Sequence, residues 1–229
     1  MTPKKALIND INPELINAYN QIKENVYDVI EELSMLDNRH ETSADCKKYY
    51  NYIRLLFNHS LGVKGPCQAA RLIYLNKHCF NGLYRVNSKG LFNVPFNNRK
   101  KGDSFESENL IAISNYLKEV NISYGDFSNS ISNAKKGDFI FFDSPYAPLN
   151  PTTFTDYTKE GFKYEDHVRL AEIFKSMSEK DVYCMLTNHN TELISDLYKD
   201  YNSKVIQVNR MINSDASNRK GEEIIITNY

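Results

Sequence analysis

Residues 143–146, Asp143-Ser144-Pro145-Tyr146, follow the apolar run Phe139-Ile140-Phe141-Phe142 and combine the groups needed to grip a flat amine. An exocyclic amine on an aromatic ring is a poor nucleophile, because its lone pair is delocalised into the ring. Two fixed acceptors for its two hydrogens favour a more tetrahedral nitrogen. A carboxylate from Asp143 and the main-chain carbonyl of Ser144 can be those acceptors, preorganised where charge develops. Pro145 biases Ser144 toward an extended conformation, which aims that carbonyl. Tyr146 offers a face on which an extruded base can stack. The same four residues also read as a strand-terminating turn with a buried tyrosine, since Asp and Pro punctuate strand ends generally.

Positioning such a corner takes a sheet. Strand signals fall at residues 6–9, 122–124, 138–142, 182–187, 204–208 and 223–227, separated mostly by helical periodicity. Asn12 can cap a helix that has Pro13 at its first position and Leu15, Ile16, Tyr19 and Ile22 on one face. Further helices are expected over 26–36, 43–57, 66–77, 107–117, 165–177 and 191–198. This alternation predicts an α/β fold with a mostly parallel sheet covered on both faces. Ligands of such sheets bind beyond the carboxyl ends of the strands, where Asp10, Asp126 and Asp143 fall.

With 229 residues and 41% apolar content, the chain can bury a full core in one α/β domain with an insertion. No apolar stretch is long enough to span a bilayer and the N-terminus has no leader pattern, so a cytoplasmic protein is expected. Cys46, Cys67, Cys79 and Cys184 form no C-x-x-C pair, which favours reduced thiols over disulfides or zinc. His78 beside Cys79 is better explained structurally than as a ligand pair, because adjacent side chains seldom converge on one metal. No metal site is expected.

The net charge of −1 hides a segregation. Between Asp45 and Asp103 there is no acidic residue, while Lys47, Lys48, Arg54, Lys64, Arg71, Lys77, Arg85, Lys89, Arg99, Lys100 and Lys101 are basic. Such a block is the electrostatic footprint of a phosphate-binding surface, although a solvated helical face explains its first members equally well. Within it, the helical pattern fails in Phe80-Asn81-Gly82-Leu83-Tyr84-Arg85-Val86-Asn87 and Phe92-Asn93-Val94-Pro95-Phe96. That blend of aromatics, amides and cations suits reading of base edges; a packed hairpin around Gly90 accounts for the same composition.

Taken in order, Asn9-Asp10-Ile11-Asn12, these two segments, Gly125-Asp126-Phe127, the Asp143 corner, Phe154-Thr155-Asp156-Tyr157-Thr158, Gly161-Phe162, Thr187-Asn188 and the closing Ile224-Ile225-Ile226-Thr227-Asn228-Tyr229 carry a resemblance. The chain resembles the Dam-type DNA adenine-N6 methyltransferases, closest to the DpnII type that modifies GATC. The resemblance implies a Rossmann-like S-adenosylmethionine-dependent fold, with residues 1–25 and 104–229 as the catalytic domain and 26–103 as an inserted basic target-recognition region. It implies direct methyl transfer from S-adenosylmethionine to a flipped adenine in double-stranded DNA, in restriction–modification or related marking, with a cognate endonuclease acting on the same site. By the same resemblance Asp10, Ile11, Asp126, Phe127 and Asp143 bind the cofactor, and Asp143, Ser144, Pro145 and Tyr146 form the catalytic corner. Tyr84, Arg85, Asn87, Lys89, Pro95, Arg99, Lys100 and Tyr157 contact DNA.

Two departures shape the expectation. The family shows two consecutive prolines after the Asp, and Ser144 stands in place of the first; its carbonyl is retained with a looser φ, so reduced catalysis is expected. The family also opens with a lysine- and glycine-containing element and a strand ending in a glycine-rich loop, and this sequence shows neither, so strand 6–9 is read as the family's second. On that reading the chain binds S-adenosylmethionine weakly, or is one half of a split enzyme. A DNA-binding remnant without catalysis is the competing reading. A methyltransferase acting on RNA or a protein amide is the third, disfavoured by the long basic block.

Overall fold

A computed structural model describes residues 3, 5–149, 161–209 and 220–229. Tyr157 and the motif at 154–158 lie outside them. The chain forms two units, Met1–Ile131 and Ser132–Tyr229.

In the first unit, β1 (Ala6–Asp10) pairs in parallel with β2 (Val120–Tyr124), in register from Ala6↔Val120 to Asp10↔Tyr124. The intervening chain is helical: α1 (Pro13–Glu24), α2 (Val26–Thr42), α3 (Cys46–His59), α4 (Pro66–His78) and α5 (Ser107–Leu117). Their starts follow local chemistry. The Asn12 side chain accepts from the Glu14 and Leu15 amides with Pro13 following it, and Asp45 accepts from Lys48 N–H. Pro66 begins α4 after Gly65, whose φ of 148° a side-chain-bearing residue rarely adopts. Inside, Val29, Leu33, Tyr50, Phe57, Tyr74, Leu75 and Phe92 are buried in one core with Ala18, Leu110 and Val120. Residues 26–103 therefore share their core with β1, β2, α1 and α5. Each of the larger apolar groups contributes on the order of 2 kcal/mol by burial. Tyr50 keeps its hydroxyl satisfied by donating to the Val94 carbonyl at 2.9 Å.

The irregular stretch after α4 is a short antiparallel arrangement. A 3-10 turn spans Phe80–Gly82, and isolated bridges join Cys79 to Phe96 and Val86 to Phe92. The turn at its tip is closed by Gly90 N–H donating to the Asn87 carbonyl at 2.8 Å, with Gly90 at φ 76°. The packed hairpin is thus present. Val86, Phe92, Val94 and Phe96 are buried apolar members of it, and Arg85 and Lys89 stay exposed.

The second unit holds β3 (Phe139–Phe142), α7 (Tyr164–Glu179), β4 (Tyr183–His189), α8 (Glu192–Leu197), β5 (Asn202–Asn209) and β6 (Lys220–Thr227). A short helix, α6 (Phe127–Ser130), precedes them at the end of the first unit. The four strands lie in the order β3-β4-β6-β5. β3 and β4 run parallel, whereas β6 is antiparallel to both β4 and β5. β3, β4 and β5 thus run in one direction and β6 alone runs against them, so the expected parallel arrangement holds except for β6. The connection from Asn209 to Lys220 is shorter than the dozen or more residues that a parallel crossover takes. Phe142, Cys184, Leu186, Ile224 and Ile226 are buried, and Phe174 of α7 packs its ring against Phe142. On the alternate side of β3, Phe139 and Phe141 are 56% and 50% exposed. Among the described residues, no helix is long and apolar enough to cross a membrane.

Candidate active site

In the second unit, the β3–β4 register ends at Phe142↔Leu186, so Asp143 is the first residue past the paired part of β3. Asp143 is exposed, Ser144, Pro145 and Tyr146 are half-buried, and Ala147 is buried. The chain leaving this corner is clamped by residues at the end of β4. Ala147 N–H donates to Asn188 Oδ1 at 2.7 Å, and the same oxygen accepts from His189 N–H at 2.9 Å. His189 Nδ1 lies 2.6 Å from the Ala147 carbonyl oxygen, so Nδ1 carries the hydrogen it donates. The imidazole stands edge-on to Tyr146, with ring centroids 5.0 Å apart and planes at 84°. Tyr146 also donates its hydroxyl hydrogen toward Glu223 Oε2 at 3.4 Å, a long bond. Burial first, then the carboxylates of Glu223 and Asp143, push its phenol above the ordinary value, against a bond with Thr187 that lowers it. This shift favours the neutral phenol. The structure shows the strand-end turn, with its tyrosine half-buried.

Asn188, His189, Thr187 and Glu223 are the residues that sequence reasoning gave no individual role. Thr187 and Asn188 stood only as a dipeptide in the resemblance. The signal that could have found Asn188 and His189 is their position one or two residues past the expected strand 182–187.

Two buried atoms at this corner lack hydrogen-bond partners among the described residues, Ser144 Oγ and Asn188 Nδ2. An orphaned buried hydroxyl costs about 1–3 kcal/mol. Ser144→Pro removes it and restricts φ, and is expected to stabilise the protein by about 0.5–1 kcal/mol. Thermal unfolding checks this, and an unchanged or lower Tm in the variant would show that the serine costs nothing.

In the first unit, Asp10 and Asp126 cluster at the carboxyl ends of neighbouring parallel strands. Asp10 Oδ1 accepts from Asn12 N–H at 2.7 Å, and Gly125 N–H donates to the Asp10 carbonyl at 3.1 Å. Asn9 Nδ2 donates to the Gly125 carbonyl at 3.0 Å, and Asn9 Oδ1 accepts from Ser123 Oγ at 2.8 Å. Gly125 sits at φ 145° with nothing within 4 Å of where a Cβ would stand, an open approach to the backbone between the two carboxylates. Asp126 Oδ1 accepts from Ser128 N–H at 2.9 Å and from Ser128 Oγ at 2.6 Å, starting α6 with Phe127 as its first residue. Ile11, 47% exposed, lies between Asp10 and the cap of α1.

The basic region sorts by partner. Arg54 donates to the Val94 carbonyl at 3.0 Å and Arg71 to Ser60 Oγ at 3.3 Å, so both are tied into the fold. Lys47, Lys48, Lys64, Lys77, Arg85, Lys89, Arg99, Lys100 and Lys101 are exposed. Arg85 Nε donates to Asn93 Oδ1 at 2.9 Å, which orients its guanidinium. Asn87 Oδ1 accepts from the Lys89 and Leu91 amides and shapes the hairpin tip. Tyr84 is half-buried with its ring 5.6 Å from that of Phe92, and Pro95 is exposed with its carbonyl accepting from Phe80 N–H.

Comparison with known proteins adds an independent line. A family model described as D12 class N6 adenine-specific DNA methyltransferase matches residues 1–212. The chain is 43% identical over 235 residues to the Type II methyltransferase M1.LlaDCHI of Lactococcus lactis subsp. cremoris, covering 100% of this chain and 81% of that protein. It is 39% identical over 236 residues to the Type II methyltransferase M.MjaIII of Methanocaldococcus jannaschii, covering 99% and 81%. With the DNA adenine methylase of Escherichia coli (strain K12) it shares 31% identity over 225 residues, covering 97% and 78%.

Proposed function

Because the chain belongs to the D12 class of N6 adenine-specific DNA methyltransferases, we propose that it moves a methyl group from S-adenosylmethionine to the N6 amine of a flipped adenine, within GATC. The setting is restriction–modification or related DNA marking in the cytoplasm, alongside an endonuclease of the same site. The Type II names of two relatives support that setting, and the DNA adenine methylases among the others support the site.

The observation that carries the chemistry is the corner at 143–147. An exposed carboxylate stands at the end of a parallel strand, and the chain just beyond it is held at Ala147 by two short hydrogen bonds, one to Asn188 and one to His189. Asp143 accepts one hydrogen of the target amine and the Ser144 carbonyl accepts the other, so that the nitrogen lone pair is freed from the ring to attack. Tyr146, braced by His189, stacks on the extruded base. No covalent enzyme intermediate is needed.

The donor set at Asp10 and Asp126 fits a nucleoside-bearing cofactor. Two carboxylates at adjacent strand ends accept from ribose hydroxyls and a base amine, Phe127 and Ile11 supply apolar surface, and Gly125 leaves room for close backbone approach. When bound, S-adenosylmethionine supplies an electrophilic methyl on its sulfonium. Residues 26–103 act as the target-recognition region. Their exposed cations take phosphates, and Tyr84, Arg85, Asn87 and Pro95 of the hairpin segment, with Tyr157, meet the site itself.

Expression in a host without adenine methylation tests the reading. N6-methyladenine is expected in GATC of the genomic DNA, mapped by sequencing. Methylation at another sequence would overturn the site, and none at all, with duplex binding intact, would favour a DNA-binding remnant.

A further inference from the structure

The cations Arg99, Lys100 and Lys101 stand on a loop whose two ends are tied down by a buried polar cluster that the proposed chemistry does not use. At the near end, Asn97 N–H donates to the His78 carbonyl at 3.0 Å, Arg99 N–H donates to Asn97 Oδ1 at 2.9 Å, and His40 Nε2 lies 3.4 Å from the Arg99 carbonyl. At the far end, Ser104 N–H donates to Asp37 Oδ2 at 2.7 Å and Ser104 Oγ donates to Asp37 Oδ1 at 2.5 Å. His78 Nε2 completes the cluster, 3.2 Å from Ser104 Oγ and 3.6 Å from Asp37 Oδ1. His40 and His78 stack with centroids 4.3 Å apart, and Tyr74 Oη holds His40 Nδ1 at 2.7 Å.

These groups come from three places, α2 (Asp37, His40), α4 (Tyr74, His78) and the loop itself, and His40 and His78 are 0% and 2% exposed. Between the two ties the chain turns through Asn98 at φ 62° and Gly102 at φ 142°, and every residue from Asn98 to Asp103 is exposed. A purely structural use of two stacked histidines and a carboxylate is expensive, because burying polar groups costs more than burying apolar ones of the same shape. The Asp37 carboxyl illustrates the balance: burial opposes its ionisation, yet bonds from His78 and Ser104 outweigh that and hold it below the ordinary carboxylate value. What the cluster secures is backbone at both ends of a three-cation loop that has no regular structure of its own.

We propose that Asp37, His40 and His78 are positioning residues for DNA binding, which fix the loop at 97–104 by its backbone so that Arg99, Lys100 and Lys101 engage phosphates as one preformed unit. The proposal rests on the basic region being the DNA-binding surface. It needs no contact between the cluster and DNA. Its contribution is entropic, since a loop ordered beforehand loses less freedom on binding.

The test is a double-mutant cycle on the full chain, read by binding to a short labelled duplex containing GATC over a range of salt. The loop variant R99A/K100A/K101A is expected to lower the slope of log K against log salt by roughly 2–3, about 0.9 for each phosphate no longer neutralised. Asp37→Asn leaves every loop cation in place, yet it is expected to weaken binding about tenfold through poorer preorganisation. Added to the triple variant, it should change nothing further, because it acts only through the loop. Should Asp37→Asn fold poorly, His40→Phe enters the cycle in its place, since it keeps a stacked ring in the core and removes the tie to the Arg99 carbonyl. Effects that simply add, or an Asp37 variant that binds normally, overturn the positioning role. A triple variant that binds normally removes the basic loop itself from the DNA surface, and the proposal falls with that reading.

Discussion

Asp143→Ala is expected to lower single-turnover methyl transfer by at least about 1,000-fold, with duplex affinity changed by less than about threefold. The size follows from what the residue is asked to do. The amine becomes nucleophilic only as its hydrogens are held away from the ring plane, and that interaction strengthens as the transition state forms, so removing it acts on kcat and not on binding. Asp143 is exposed at the strand end, so the substitution should leave the fold intact. Asp143→Asn is the sharper comparison, since it keeps shape and one acceptor oxygen and replaces the other by a donor. It should fall between the wild type and the alanine variant. An alanine variant that retains more than about a tenth of the rate would remove Asp143 from the chemistry, because one preorganised electrostatic interaction of this kind normally carries about 100-fold or more.

The local architecture was largely legible in the amino-acid order. All six strand signals became strands, and 107–117 became a helix over those very residues, because a half-buried strand and an amphipathic helix each leave a periodic stripe. Strand partners left no such trace. Nothing in the 220–227 segment distinguishes a parallel from an antiparallel strand, since both bury Ile224 and Ile226 in the same alternation. The short helix at 127–130 escaped for a different reason, being too brief to show a period. The charge pattern marked the basic region but not its direction. Arg54 and Arg71 are spent on Val94 and Ser60 within the fold, while Arg99, Lys100 and Lys101 are presented by a loop whose anchors, Asp37 and His40, sit some sixty residues earlier in the chain. The corner itself was readable as a tetrapeptide. Its brace was not, because Asn188 and His189 reach it across 41 and 42 residues of chain.

That brace carries the second large effect. Asn188 is 0% exposed, and its Oδ1 is the acceptor for two main-chain donors, Ala147 N–H and His189 N–H. Asn188→Ala leaves both without this acceptor, the Ala147 N–H in a buried place, at a cost of about 1–3 kcal/mol, partly offset by removal of the orphaned Nδ2. The consequence for chemistry comes from geometry. Ala147 is the fixed point just after Tyr146, so releasing it lets the Ser144 carbonyl and the tyrosine ring drift, and displacements of about 1 Å in such groups cost on the order of 100-fold in rate. Asn188→Ala is therefore expected to lower Tm and, measured at a temperature where the variant is folded, to lower kcat by about 10- to 100-fold with KM for DNA little changed. The split matters, because a residue that merely supports the fold would lower the amount of active protein and leave the turnover of each folded molecule intact. Active-site titration beside circular dichroism separates these cases. A variant with a reduced Tm but normal turnover per folded molecule would confine Asn188 to stability, and the hold on residues 143–147 would then rest on His189 alone.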